Sequence, residues 1–391
     1  MRSLFRRFLS AYPEAWSIPR SFRLIRFALI NLHPHCIADL KRTEFMKHIV
    51  ADNKDFDMLT FGEVLLRLSP TGDGRLADGE TFVKRVGGAE LNVATGVSLL
   101  GQRTGVISVL PANDIGVYAK NRIRFSGVSD DFIAFDEAHD ARLGVYYYES
   151  GAYPRKPGIV YDRAHASFTK VRIEDFPENI FSCTRLFHTS GITLGLCEQT
   201  RKTGVEMIRR FKEGGAVISF DVNFRGNLWT GDEARECIEK ILPYVDIFFC
   251  SEDTARLTFG KTGTAEEILK SFTEEYPIKV VAATQRIVHS PKHHTFGSIL
   301  YARETDTFYS EEPYHRVQVI DRIGSGDAYV SGVLYALLTD AHDYQRAVEF
   351  GDATGSVKNT IPGDMPSSDL DEIESVIASH KSTGYQSEMN R

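Results

Sequence analysis

The chain has 391 residues, 42% of them hydrophobic and 25% charged, with a formal net charge of -7. That is the composition of a globular protein large enough to bury a core without disulfides or a structural metal, and it excludes collagen-like, coiled-coil and disordered chains. No run of 18 apolar residues marks a membrane span, and the acidic balance offers no basic face to a nucleic acid, so neither partner is expected. The five cysteines, Cys36, Cys183, Cys197, Cys237 and Cys250, are odd in number and lack C-x-x-C spacing. They predict free thiols and a cytoplasmic location.

Residues 1–45 carry eight basic side chains against three acidic ones. An Arg-rich targeting peptide, an amphipathic surface helix over FRLIRFALI, or sequence upstream of a true start at Met46 all fit this bias. The last is preferred, because Arg23 and Arg26 interrupt the only apolar stretch and MKHIVADNKDFDML reads as a polar start before a first strand. Residues 1–55 are therefore expected to be an extension outside the fold, 56–380 the folded domain, and 381–391 a loose tail.

From residue 56 the pattern alternates. DMLTFGEVLLRL, TGVISVL, RLFHTSGI, AVISFDVN, VDIFFCS and KVVAAT suit buried strands. AELNVATGVSLLG, QTRKTGVEMIRRFKEGG, DEARECIEKILPY and TAEEILKSFTEEY repeat their apolar residues at helical spacing. Alternating strands and helices predict βαβ units and a mostly parallel sheet. Stretches within about 72–90 and 141–170 are instead aromatic and β-branched with polar alternation, and predict a small second sheet. In Tyr146-Tyr147-Tyr148 the first and third side chains share a face. His289, His293 and His294 surround Ser290-Pro291, which argues against a zinc-binding helix and for a solvated loop.

The stretch VIDRIGSGDAYVSGVLYALL, residues 319–338, carries the most chemistry. A short apolar strand meets Gly324-Ser325-Gly326-Asp327, and an apolar helix follows. Glycines at such a junction let backbone N–H groups converge as an anion hole suited to phosphate. A carboxylate in the first turn can take a proton from a hydroxyl in line with that phosphate. An Asp beside ordinary packing glycines fits the same letters. The segment is neither a Walker A loop nor a G-x-G-x-x-G fingerprint. Near the end of another apolar run, Asn223 and Arg225 suit either carboxylate recognition or a strand-end salt bridge.

IDRIGSGDAYVSG resembles the C-terminal signature of the ribokinase-like (pfkB) carbohydrate kinases, usually D-T-x-G-A-G-D. RVGGAELNVATGVSLLG, residues 85–101, resembles their N-terminal signature. The two occur in the family's order, and the resemblance spans roughly residues 56–378. FDVNFRGNLW, HTSGITLGL, SEDTARLTFG and KNTIPGD are further similar to the 2-keto-3-deoxygluconate kinases of that family. The resemblance implies a three-layer α/β/α sandwich with a mostly parallel sheet and a small β lid. It implies ATP-dependent phosphorylation of a sugar or sugar acid, foremost 2-keto-3-deoxygluconate to its 6-phosphate, with magnesium as cofactor and self-association through the lid. A fructokinase-like sugar kinase and a non-catalytic sugar-binding regulator are the alternatives.

The roles implied by resemblance are these. Asp327 is the base, and Gly324, Ser325 and Gly326 form the anion hole. Gly88, Asn92, Tyr146, Arg225 and Asp364 meet the sugar acid. Ser251, Thr284 and Gly297 meet the nucleotide, with no metal ligand assigned. Three departures stand out. Tyr148 occupies the place where related kinases have an arginine, so one contact to an anionic substrate is missing or is supplied by Lys84 or Arg85. Thr254 stands where the wider family's magnesium-linked motif has Glu. Finally, the nucleotide loop K-x-G-x-x-G is replaced by Thr284-Gln285-Arg286 and an insertion before Gly297.

Overall fold

In Phe56–Phe61 (β1) nearly every residue is buried, Asp57 and Thr60 included, as a strand covered on both faces requires. The structure, a computed structural model, describes residues 54–72 and 74–382. The expectations for residues 1–45 and nearly all of the tail lie outside the described residues. After β1 come β2 (Leu65–Pro70), β3 (Phe82–Gly87), α1 (Ala89–Leu99), β4 (Thr104–Pro111), α2 (Asp114–Phe125), β5 (Ile133–Asp136), β6 (Gly144–Glu149) and β7 (Gly158–Asp162). The chain continues through β8 (Thr184–Ser190), α3 (Gly191–Gly195), α4 (Glu198–Glu213), β9 (Val217–Asp221), α5 (Gly231–Ile241), β10 (Ile247–Phe249), α6 (Glu252–Phe259) and α7 (Ala265–Glu275). It closes with β11 (Val280–Ser290), β12 (His293–Ala302), β13 (Thr307–Tyr309), β14 (Tyr314–Gln318), α8 (Ser325–Thr339), α9 (Tyr344–Asn359) and α10 (Leu370–Lys381).

The main sheet runs β13-β12-β11-β10-β9-β8-β1-β4-β5, with β14 also on β12. Pairing is parallel from β11 to β5 and antiparallel where β12 joins β11, β13 and β14. Side chains of alternate parity face opposite layers. Leu59, Phe61, Ile107, Phe187, Ile218, Phe220 and Phe248 share a core with Ile208 and Phe211 of α4, Ile238 of α5 and Phe272 of α7. Phe187 stacks on Phe211 at 4.1 Å. Truncating such a ring to Ala costs about 3–5 kcal/mol. On the opposite face Phe249 meets Tyr329 of α8 edge-on at 6.1 Å, and α8 packs between α1 and α9. The fold is the expected α/β/α sandwich. Its helices start where their sequences cap them: Thr230 with Glu233 opens α5, and Thr264 with Glu267 opens α7, each by a reciprocal capping box.

Two segments differ from the sequence-based expectation. DMLTFGEVLLRL is two strands, not one. A side chain at Gly62 would lie 2.1 Å from the Glu90 carboxylate, so the chain turns there and β2 leaves the main sheet. It pairs antiparallel with β3 and parallel with β6, giving a second sheet of order β3-β2-β6-β7 that forms a lid. In β6 the tyrosines alternate, Tyr146 and Tyr148 both 4% exposed and Tyr147 outward against Phe82.

The second difference is the histidine segment, which is a hairpin rather than a solvated loop. The strand-forming residues of Arg286-Ile287-Val288-His289 pair with His294-Thr295-Phe296 across a turn at Pro291-Lys292. His294 is buried, and His289 Nε2 lies 2.9 Å from the Thr295 hydroxyl. Among the described residues no cluster of three His, Cys, Asp or Glu is placed to hold a metal, and no helix is long and apolar enough to cross a membrane.

Candidate active site

The N-terminus of α8 points into a cavity of about 380 Å³, bordered by the lid on one side and by the ends of β9, β10 and β11 on the other. Gly324 caps the helix at φ 81°, and no side chain fills the cap. The first-turn N–H groups of a helix have no intrahelical acceptor, so they are left to a ligand, and the helix dipole favours an anion there. The glycines differ in what demands them. A Cβ at Gly324 would sit 1.9 Å from the Asp364 carbonyl, whereas one at Gly326 would meet nothing within 4 Å. Packing fixes the first, and the second leaves space in the cavity. Ser325 between them is buried.

Asp327 follows in the same turn, half-buried, and its Oδ2 accepts from Asn92 Nδ2 at 2.7 Å. Burial pushes its carboxyl up to about 6, against the pull of the Asn92 hydrogen bond and of the Arg225 charge. Asp221, at the end of β9, also borders the cavity. Burial and then the neighbouring Asp327 charge push it up to about 7. Glu90 is buried beneath, its Oε1 accepting from the Ser190 amide at 3.1 Å and from the Ser190 and Thr193 hydroxyls at 2.7 Å each.

Gly88 begins α1 at φ 148°, and a Cβ there would lie 2.3 Å from the Glu63 carbonyl. Close approach of the chain to itself therefore accounts for this glycine. Asn92 Oδ1 and Glu63 Oε1 are buried without a hydrogen-bond partner, and both residues line the cavity. Glu63 is held on its other oxygen by Arg163, just beyond β7.

Tyr146 and Asp364 line the cavity at the root of the lid, and they bond to each other. Arg67 of β2 binds Asp364 at 2.7 Å and Asp321 at 2.6 Å, with its guanidinium 4.4 Å from the centre of the Tyr148 ring. Lys358, 1% exposed, donates to the carbonyls of Asp321 and Ile361 at 3.2 and 3.0 Å. Burial lowers its pKa to about 8, against the pull of Asp321 and Asp364. This network ties the loop before α8 to the loop after α9.

Arg225 stands in the cavity wall. Its guanidinium has no ion pair among the described residues, although it lies near the charges of Asp221 and Asp327. The turn that delivers it uses Asn223 at φ 37°, a conformation Asn tolerates, with the Asn223 amide on Asp221 Oδ1 at 3.0 Å. Ser251 and Thr284 border the same cavity. Ser251 also caps α6, its hydroxyl 2.9 Å from that of Thr254. Gly297 does not line the cavity: it lies in β12 opposite Gln285, against Pro313. Lys84 and Arg85 line a different cleft, with Lys84 over the Tyr118 ring at 3.8 Å.

Sequence reasoning passed over Glu63, Glu90, Asp221, Arg163, Arg286, Arg322 and Lys358. Asp221 and Glu90 stand inside the quoted motifs. So do Arg322 and Lys358, and Arg286 stands in the altered nucleotide segment, while Glu63 and Arg163 come from segments where only the fold brings them near the site.

A helix N-terminus open to an anion, with a carboxylate one turn in and a lid over a pocket of polar acceptors, defines an enzyme that moves a phosphoryl group onto a small hydroxylated molecule. The chain belongs to the pfkB family of carbohydrate kinases, whose pattern matches residues 55–370. It is 32% identical over 321 residues to the 2-dehydro-3-deoxygalactonokinase of Haloferax volcanii, covering 82% of this chain and 96% of that protein. Among solved structures, a pfkB carbohydrate kinase from Listeria grayi matches with a TM-score of 0.77 at 32% identity, covering 82% of this chain and 99% of that one. The 2-dehydro-3-deoxygluconokinase of Thermotoga maritima matches with the same TM-score at 31% identity, covering 82% and 98%.

Proposed function

We propose that the chain transfers the γ-phosphoryl group of ATP to the terminal hydroxyl of 2-keto-3-deoxygluconate, giving the 6-phosphate and ADP. Asp327 takes the hydroxyl proton as the oxygen attacks phosphorus. The bond from phosphorus to the β–γ bridging oxygen breaks, and the N–H groups at Gly324–Gly326 hold the phosphoryl oxygens. Asn92 Oδ1 and Glu63 Oε1, buried acceptors without donors, suit sugar hydroxyls. Tyr146 and Asp364 close the sugar end, and Ser251, Thr254 and Thr284 face the nucleotide.

The observation that carries the acid over a neutral sugar is Arg225, an unpaired guanidinium lining the cavity that holds Asp327. A carboxylate is its natural partner, bound through two parallel N–H···O contacts. The names of the Haloferax and Thermotoga relatives support the same substrate class. Magnesium enters with the nucleotide rather than through a built site. The Asp221 carboxylate at the end of β9 would fit, once ionised, as an oxygen ligand to a cation that otherwise rides on phosphate and water. Bound there, the ion would neutralise charge developing on the transferred group. Exposed Phe82, Val83 and Val160 support self-association through the lid, which sedimentation of the purified chain would test.

The deciding experiment is a coupled assay of ADP release across 2-keto-3-deoxygluconate, its galactonate epimer, fructose and ribose. The acids should show the higher kcat/KM. Faster turnover of fructose would replace this reading with a hexose kinase.

A further inference from the structure

The segment that should carry a glycine-bearing phosphate loop is a strand. No glycine occurs between Thr284 and Gly297, and β11 pairs with β12 from Val280↔Ala302 to Ser290↔His293. A cluster of amides converging on a phosphate needs loop geometry with left-handed residues, which a paired strand does not provide. Something else must meet the nucleotide's charge on this side of the cavity.

Two side chains stand there. Arg286 projects from β11 into the cavity that Ser251, Thr254 and Thr284 line. Arg322 lies two residues ahead of the helix cap, lining the same cavity and the adjoining cleft beside Val288 and His294 of the hairpin. Neither guanidinium has an ion pair or a side-chain hydrogen bond among the described residues. They are close enough to repel. Surrounding protein pushes the Arg286 pKa down, and the charges of Arg322 and Arg225 push it further. Unpaired cations gathered at a cavity wall are at a cost until an anion of several charges joins them.

We propose that Arg286 and Arg322 clamp the phosphate chain of the nucleotide, taking the place of the missing glycine loop. The inference rests on the kinase reading above and assigns a separate task to each arginine group. Arg225 meets the sugar acid, while Arg286 and Arg322 meet the β- and γ-phosphates, which guanidinium forks bind in pairs of contacts. The donor is then gripped more by its phosphates than by its base.

Calorimetric titration of Arg286→Ala and Arg322→Ala with ATP, ADP and AMP, without sugar, tests this. ATP and ADP should each weaken about tenfold to hundredfold, the range for lost hydrogen bonds to a charged group. AMP, without the β- and γ-phosphates, should change little, and Arg286→Lys should recover part of the loss. Equal weakening of all three nucleotides would overturn the clamp. So would unchanged nucleotide affinity with a raised KM for the sugar acid alone. If the unmodified chain binds ATP in this phosphate-dependent way yet phosphorylates no keto-deoxy acid, the substrate assignment fails and the clamp stands.

Discussion

Asn92 of α1 donates its side-chain amide to Asp327 of α8 at 2.7 Å, joining positions 235 residues apart. The bond favours the ionised form of a carboxylate that burial drives toward protonation. It lowers the pH at which the base is ready, and it makes one polar contact of each family motif depend on the other.

The base must be ionised to accept a proton, so kcat/KM should fall as pH drops through about 6. Asn92→Ala removes a contact that favours the charge and should move this acid limb to higher pH. Asp327→Asn should fold normally and lose a factor on the order of 10² to 10⁴ in kcat, the usual worth of a positioned base. A pH–rate profile of the three proteins checks both statements. An unshifted limb in Asn92→Ala would detach Asn92 from the ionisation of Asp327.

The two glycines of the helix cap should separate stability from catalysis. Gly324→Ala places a Cβ against the Asp364 carbonyl at φ 81°, so it should lower the melting temperature. The left-handed conformation alone costs roughly 1–2 kcal/mol. Gly326→Ala fills only cavity space, so it should melt normally yet turn over poorly with saturating sugar. Thermal melts alongside kcat decide, and a catalytically normal Gly326→Ala would move the phosphoryl group elsewhere.

Arg225→Ala should weaken kcat/KM for the keto-deoxy acid about tenfold to hundredfold, from the loss of a charged hydrogen bond worth about 1.5–3 kcal/mol. Weak turnover of a neutral hexose should hardly change. Lysine at 225 keeps the charge without the fork and should recover only part. Equal losses on both substrates with a lower melting temperature would mean that Arg225 supports the fold instead.

Arg67→Met should be the most destabilising of these changes. It strips the shared counter-charge from Asp321 and Asp364, both nearly inaccessible to water. Breaking a buried pair from one side costs about 3–5 kcal/mol. Denaturant midpoints compared with Arg67→Lys, which keeps one charge, measure the effect. A midpoint unchanged in Arg67→Met would show that the network holds nothing together.

The sandwich was legible because strands covered on both faces, such as Val106–Leu110 in β4, read as largely apolar runs, broken there only by Ser108. The break between β1 and β2 was not, because it depends on the fit of Glu90 beside Gly62, a contact across distant positions. The hairpin around Pro291 was hidden because its polar letters resemble a loop, and only pairing with β12 and β14 gives them strand partners. At the site, motif letters located Asp327, Asn92 and Arg225 within one cavity. Arg67 was out of reach of such reasoning, since a lone arginine in a strand carries no sign of the two carboxylates it meets more than 250 positions away.

The Arg67 network also has a mechanical consequence. Both inner lid strands are moored to the body of the enzyme, β2 through Arg67 and β6 through Tyr146, and both moorings end on Asp364. Swinging the lid as a rigid flap would break both moorings. At the rim, the outer strand β7 overhangs the cavity with Ile159 and Tyr161, and its far end is tethered through Arg163 to Glu63. An opening at this edge would therefore have to bend the rim strand rather than lift the platform beneath it.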